Sequence, residues 1–92
     1  MDDFADVAKA RASYKSFVEA MKAGREIMQR VGVLSPPPIP EFDVVFRRMS
    51  PEMRKELYAE LNKTEAVKPA EAIRLWQPMV RRAFGVKPRP TQ

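Results

Sequence analysis

The chain has 92 residues and a net charge of +5, with 17 Lys/Arg against 12 Asp/Glu and neither His nor Cys. That length suits one small domain burying about 60–65% of its unfolded surface, and the missing imidazole and thiol remove the commonest general base and the most reactive nucleophile. The composition, 45% hydrophobic and 32% charged, is globular rather than disordered, and it offers neither an apolar window of about 18 residues to cross a membrane nor the clustered Asp/Asn/Gly spacing of an oxygen-ligand metal loop.

The first predicted element is one long helix, roughly Asp3 to Arg30. Val7, Ala10, Tyr14, Phe17, Met21, Gly24, Met28 and Val31 follow a 3-4-3-4 spacing, a heptad seam over about four repeats. Asp2 or Asp3 can cap its start and Asp6 lies near the positive helix end. Gly32 sits where a left-handed residue ends a helix. At 1.5 Å per residue the helix is about 40 Å long. Its seam has two uses: a hairpin with later helices of the same chain, or a contact with another protein or a second copy. So long a stripe exceeds what so short a chain is expected to hide. Val7, Tyr14, Phe17, Met21, Gly24 and Met28 are therefore expected at a partner interface. Gly24 either admits a partner backbone or weakens the helix by about 1 kcal/mol. Lys9, Ser13, Lys22 and Gln29 read as a solvated face.

Next comes a proline-rich connection over residues 33–40. Pro36, Pro37 and Pro38 force an extended segment without internal hydrogen bonds. It reads as a rigid strut passing a neighbour. A ligand for an aromatic-lined groove is the alternative, but no basic residue flanks the prolines.

Two short helices follow. Phe42, Val45, Phe46 and Met49 fall at i, i+3, i+4, i+7, with acids (Glu41, Asp43) at the start and Arg47 and Arg48 at the end, each sign matching the helix dipole. Ser50-Pro51-Glu52 then opens a second helix with Ser as N-cap and Pro at the first position. Its stripe is Met53, Leu57 and Leu61, flanked by Tyr58, and it fades at Asn62-Lys63. Glu56 and Glu60 form a like-charge i,i+4 pair. Either this is incidental, or that face meets a basic neighbour.

The last helix begins near Lys68-Pro69. Ala72, Ile73, Trp76, Met79, Val80, Ala83 and Phe84 keep helical periodicity through Pro78, which is expected to kink or restart the helix after Gln77. Gly85 ends it, and residues 86–92 form an extended basic tail. No strand is predicted. The fold expected is all-α: a long helix over 1–32, a Pro-rich linker over 33–40, a cluster of short helices over 41–85 and the tail, not a compact regular bundle.

The basic character belongs to the C-terminal third, where six cations (Lys68, Arg74, Arg81, Arg82, Lys87, Arg89) meet two acids (Glu65, Glu71). Arg74, Arg81, Arg82, Lys87 and Arg89 make the candidate basic patch, suited to the rim of a protein interface, a lipid headgroup or RNA phosphate. No interleaved aromatic platform, RNA-recognition motif or zinc knuckle accompanies it. Trp76 is either core or an interface anchor, and Phe42, Phe46 and Trp76 are expected at the partner interface. No catalytic residue, metal ligand or cofactor is expected. The acids Asp2, Asp3 and Asp6 have the wrong sign for a secretory or transit presequence, so a cleaved one is not expected. The absence of Cys argues against a small secreted disulfide scaffold.

Arg47-Arg48-Met49-Ser50-Pro51-Glu52-Met53-Arg54, a helix, Val67-Lys68-Pro69-Ala70-Glu71-Ala72 and a closing aromatic helix resemble a known small subunit. It is the matrix-side, all-helical accessory subunit of the mitochondrial cytochrome bc1 complex, with its first helix, linker, Arg-Arg-Leu-Pro segment, helix and Leu-Pro-Lys-Glu turn. The similarity spans about Phe42 to Phe84. This chain lacks the family's acidic stretch after the turn and has a longer first helix. The resemblance implies a class: small basic helical subunits that wrap respiratory complexes or the ATP synthase, carrying no cofactor and often no cleaved presequence. The function expected is thus a non-catalytic accessory subunit of a large assembly, peripheral to the mitochondrial inner membrane. The alternatives are an RNA-associated component and a cytoplasmic helical adaptor or homodimeric regulator.

Overall fold

The computed structural model describes residues 4–32 and 38–85, apart from the side chain of Met28. Four helices follow one another: α1 (Phe4–Arg30), α2 (Phe42–Arg48), α3 (Pro51–Lys63) and α4 (Pro69–Ala83). The chain is all-α, with no strand among the described residues. The caps at Asp2 and Asp3, the prolines Pro36 and Pro37, and Lys87 and Arg89 of the tail lie outside those residues. Pro38, the last of the three prolines, is exposed.

Local chemistry sets the helix ends. The Ser50 hydroxyl accepts a hydrogen bond from the Met53 backbone N–H at 3.2 Å, so α3 starts on a filled N-cap with Pro51 at its first position. Gly32 and Gly85 follow α1 and α4 at φ 81° and 71°, the left-handed conformation that costs a residue without Cβ nothing. Pro78 neither stops nor restarts α4, which runs unbroken to Ala83. Pro78 and Arg74, whose carbonyl loses its i+4 donor, are both exposed residues.

One core unites the helices. Ala10, Tyr14 and Phe17 of α1 pack with Phe42 and Val45 of α2, Met53, Leu57 and Leu61 of α3, and Leu75, Trp76 and Met79 of α4. The pieces over 1–32 and 41–85 therefore share a single interior, and α4 packs most extensively on α1. Trp76 is fully enclosed, its indole edge-on to Tyr14 at 4.9 Å and 80° and to Phe42 at 6.1 Å and 77°. Offset and edge-on aromatic pairs of this kind add about 0.5–1.5 kcal/mol beyond their buried area.

This arrangement corrects the expected partner interface. Tyr14, Phe17, Phe42 and Trp76 are core residues of this chain, because α2 and α4 supply the apolar surface that α1 needs. Val7, Met21 and Phe46 are half-buried against the same core. The notion that the chain cannot hide its apolar stripe fails for the first half of α1.

Ser13 is the other correction, since it is buried rather than solvated. Its hydroxyl donates to the Ala66 carbonyl at 2.7 Å and accepts from Trp76 Nε1 at 2.9 Å. One side chain thus ties α1 to the α3–α4 turn and to α4, and fills both hydrogen-bonding roles a hydroxyl has. Of the other residues read as solvated, Lys22 and Gln29 are exposed, and exposed Lys9 donates to Asn62 Oδ1 at 3.2 Å.

Candidate functional site

The seam of α1 changes character along its length. Phe17 is the last of its residues to be buried; Val18 and Met21 lie at the margin of the core. Beyond them Gly24 is exposed, with no atom within 4 Å of where a Cβ would stand, and Ile27 and Val31 are 61% and 71% exposed. The 27-residue helix is about 40 Å long at 1.5 Å per residue, close to the 45 Å long axis of the molecule. Its C-terminal end projects as an arm. Met28 falls on the same seam, with its side chain outside the described set. Of the described seam residues beyond Met21, Gly24 and Val31 are thus left uncovered, with Ile27, beside the seam, exposed on the same end of the helix.

At the base of the arm the chain returns to the core through Pro38-Ile39-Pro40. The Tyr14 hydroxyl donates to the Pro40 carbonyl at 2.5 Å. Burial pushes the phenol pKa up to about 12, because the phenolate is disfavoured where water is excluded. Lys15, Val18, Glu19, Lys22 and Arg25 line a shallow groove between α1 and this strap.

Of the basic-patch residues, Arg74, Arg81 and Arg82 are described, and two of them are paired with acids of this chain. Arg74 lies 3.8 Å from Glu71 one turn earlier on α4. Arg82 meets Glu56 of α3 at 2.7 Å. The hydrogen bond and the charge of Arg82 hold the Glu56 carboxyl below its ordinary range, and Glu56 holds Arg82 above its own. The face carrying Glu56 and Glu60 thus meets a basic neighbour, and the neighbour is Arg82 of the same chain. Arg81 is exposed.

A second group of arginines was not singled out in the sequence. Arg48 at the end of α2 lies over the Phe84 ring at 4.5 Å, Arg54 over Phe46 at 4.1 Å and Arg11 over Phe42 at 4.8 Å. Arg54 also donates to the Phe46 carbonyl at 2.8 Å, and Arg11 pairs with Asp43 at 3.1 Å. Such stacking, worth about 0.5–1 kcal/mol at exposed sites, fixes a guanidinium plane while leaving its N–H edge outward. Each of these arginines stacks on a ring of another element, so no local spacing in the sequence signalled the pairs.

Among the described residues no cluster of three or more Asp or Glu side chains could hold a metal ion, and no helix is long and apolar enough to cross a membrane. What the surface presents is an apolar arm and an arginine-rich end. Comparison with protein-family models, curated proteins and solved structures finds no match for this chain.

Proposed function

We propose that this chain is a non-catalytic accessory subunit of a multiprotein assembly, which folds around its own core and docks by the projecting end of α1. The observation that carries the reading is the uncovered stripe at Gly24, Ile27 and Val31. A self-contained domain gains nothing from two large β-branched residues in water, whereas burying each against a partner stabilises by about 1.5–3 kcal/mol. Gly24, one turn before Ile27, gives a partner backbone room to approach. The lack of His and Cys fits a binding role, and the resemblance over Phe42 to Phe84 points to a respiratory-chain or ATP synthase complex of the mitochondrial inner membrane as the assembly.

Tagged chain captured from its native source, with the bound proteins identified by mass spectrometry, tests this reading. Wild type is expected to retain a defined set of subunits, and Ile27→Asp/Val31→Asp to lose at least about tenfold of it, the equivalent of 1.4 kcal/mol. Thermal unfolding of the double variant is expected to match wild type, since both residues stand clear of the core. Undiminished capture by the double variant would remove the arm from the account. A captured set without any respiratory or ATP synthase subunit would remove that assembly.

A further inference from the structure

A second surface specifies its partner's chemistry. At the C-terminal ends of α2 and α4, Arg48 stacks on Phe84 at 4.5 Å. Arg81 is exposed one turn before Phe84 on α4, and Val44, 40% exposed, precedes Arg48 by one turn on α2. Phe84 itself is 36% exposed. Helical spacing puts Val44 on the same face of α2 as Arg48, and Arg81 one turn from the Phe84 ring that Arg48 covers. Arg82 at the same end already binds a carboxylate, that of Glu56, at 2.7 Å.

We propose that this end binds an acidic segment of a partner protein, its carboxylates on Arg48 and Arg81 and an apolar side chain between Val44 and Phe84. The inference rests on the accessory-subunit reading and names the chemistry of one partner contact. Arginine rather than lysine at both positions suits planar, paired hydrogen bonding to a carboxylate. Stacking on Phe84 holds the Arg48 fork before the partner arrives, which lowers the ordering cost of binding. RNA fits less well, because Arg48 covers one face of the partly exposed Phe84 ring, which reduces the surface on which a base could stack. A bilayer fits less well, because two partly exposed side chains offer little to insert.

Fluorescence anisotropy of the full chain with a labelled peptide of repeated Glu-Glu-Leu units tests this. The parallel probes are an oligouridine of equal length and vesicles containing phosphatidylserine. The peptide is expected to bind at about 50 mM salt, more weakly at about 200 mM, and more tightly than either other probe. Arg48→Glu/Arg81→Glu is expected to weaken it at least about tenfold, because two attractions become repulsions at one contact. Arg74→Glu, on a residue already paired with Glu71, is expected to leave it unchanged. Should the double variant fold poorly, Arg81→Glu alone carries the test, since Arg81 is exposed. No peptide binding at about 50 mM salt, equal binding by the charge-reversed chain, or tighter binding of oligouridine or vesicles would each overturn the proposal. If the peptide fails while Ile27→Asp/Val31→Asp still loses its captured subunits, this inference falls and the accessory-subunit reading stands.

Discussion

Trp76→Ala is expected to be among the most destabilising single substitutions in the chain, lowering its unfolding free energy by about 3–5 kcal/mol. Replacing a fully buried aromatic by alanine costs about 3–5 kcal/mol through lost transfer energy and the cavity left behind. At about 0.05–0.15 kcal/mol per residue, a chain of 92 residues has roughly 5–14 kcal/mol in total. Trp76 stands at the upper end of that cost. Its ring touches Tyr14 and Phe42 edge-on, and its N–H is bonded to Ser13. The substitution removes all of these contacts at once. Urea unfolding followed by far-ultraviolet circular dichroism checks this. A variant within about 1 kcal/mol of wild type would contradict the core described here. Trp76→Phe, which keeps a ring but loses the N–H, is expected between the two.

Ser13→Ala is expected to cost more than its size suggests. The substitution removes one oxygen atom and barely changes volume. It leaves the Trp76 N–H without its acceptor and the Ala66 carbonyl without its donor, in a place water does not reach. Each orphaned buried group costs about 1–3 kcal/mol. A loss of at least about 2 kcal/mol is therefore expected, against less than about 0.5 kcal/mol for Lys22→Ala on the exposed face. Combined with Trp76→Phe, the loss is expected to be less than the sum of the two singles, because both remove the same bond. Additive losses would show that the two side chains do not act on each other.

Much of the architecture was legible in the residues because local chemistry decides it. Ser50-Pro51 fixes the start of α3 with a side chain that has one place to go, and Gly32 and Gly85 end helices through a backbone conformation that other residues resist. Met53, Leu57 and Leu61 mark a buried stripe by spacing alone. The misreadings share one cause: long-range packing. A serine among charged positions looks solvated until a tryptophan 63 residues away brings its N–H to it. The seam of α1 is uniform in spacing, so periodicity could not show that its first half meets α2 and α4 while Gly24 and Val31 farther along stay exposed. Leu75 was left out of the α4 stripe, yet it is buried where α4 turns toward α3. Phe84 was placed on that stripe and is partly exposed under Arg48. Glu56 looked repulsive beside Glu60 until Arg82 of α4 took its place in the account.

The division of α1 into a core half and a free arm is tested most directly by amide hydrogen exchange on the isolated chain. Amides from Tyr14 to Met21 are expected to exchange only through global unfolding, and those from Ile27 to Arg30 by local opening, at least about a hundredfold faster. Equal protection along the whole helix, or rapid exchange in both halves, would contradict the structure's central feature and leave the arm without a role.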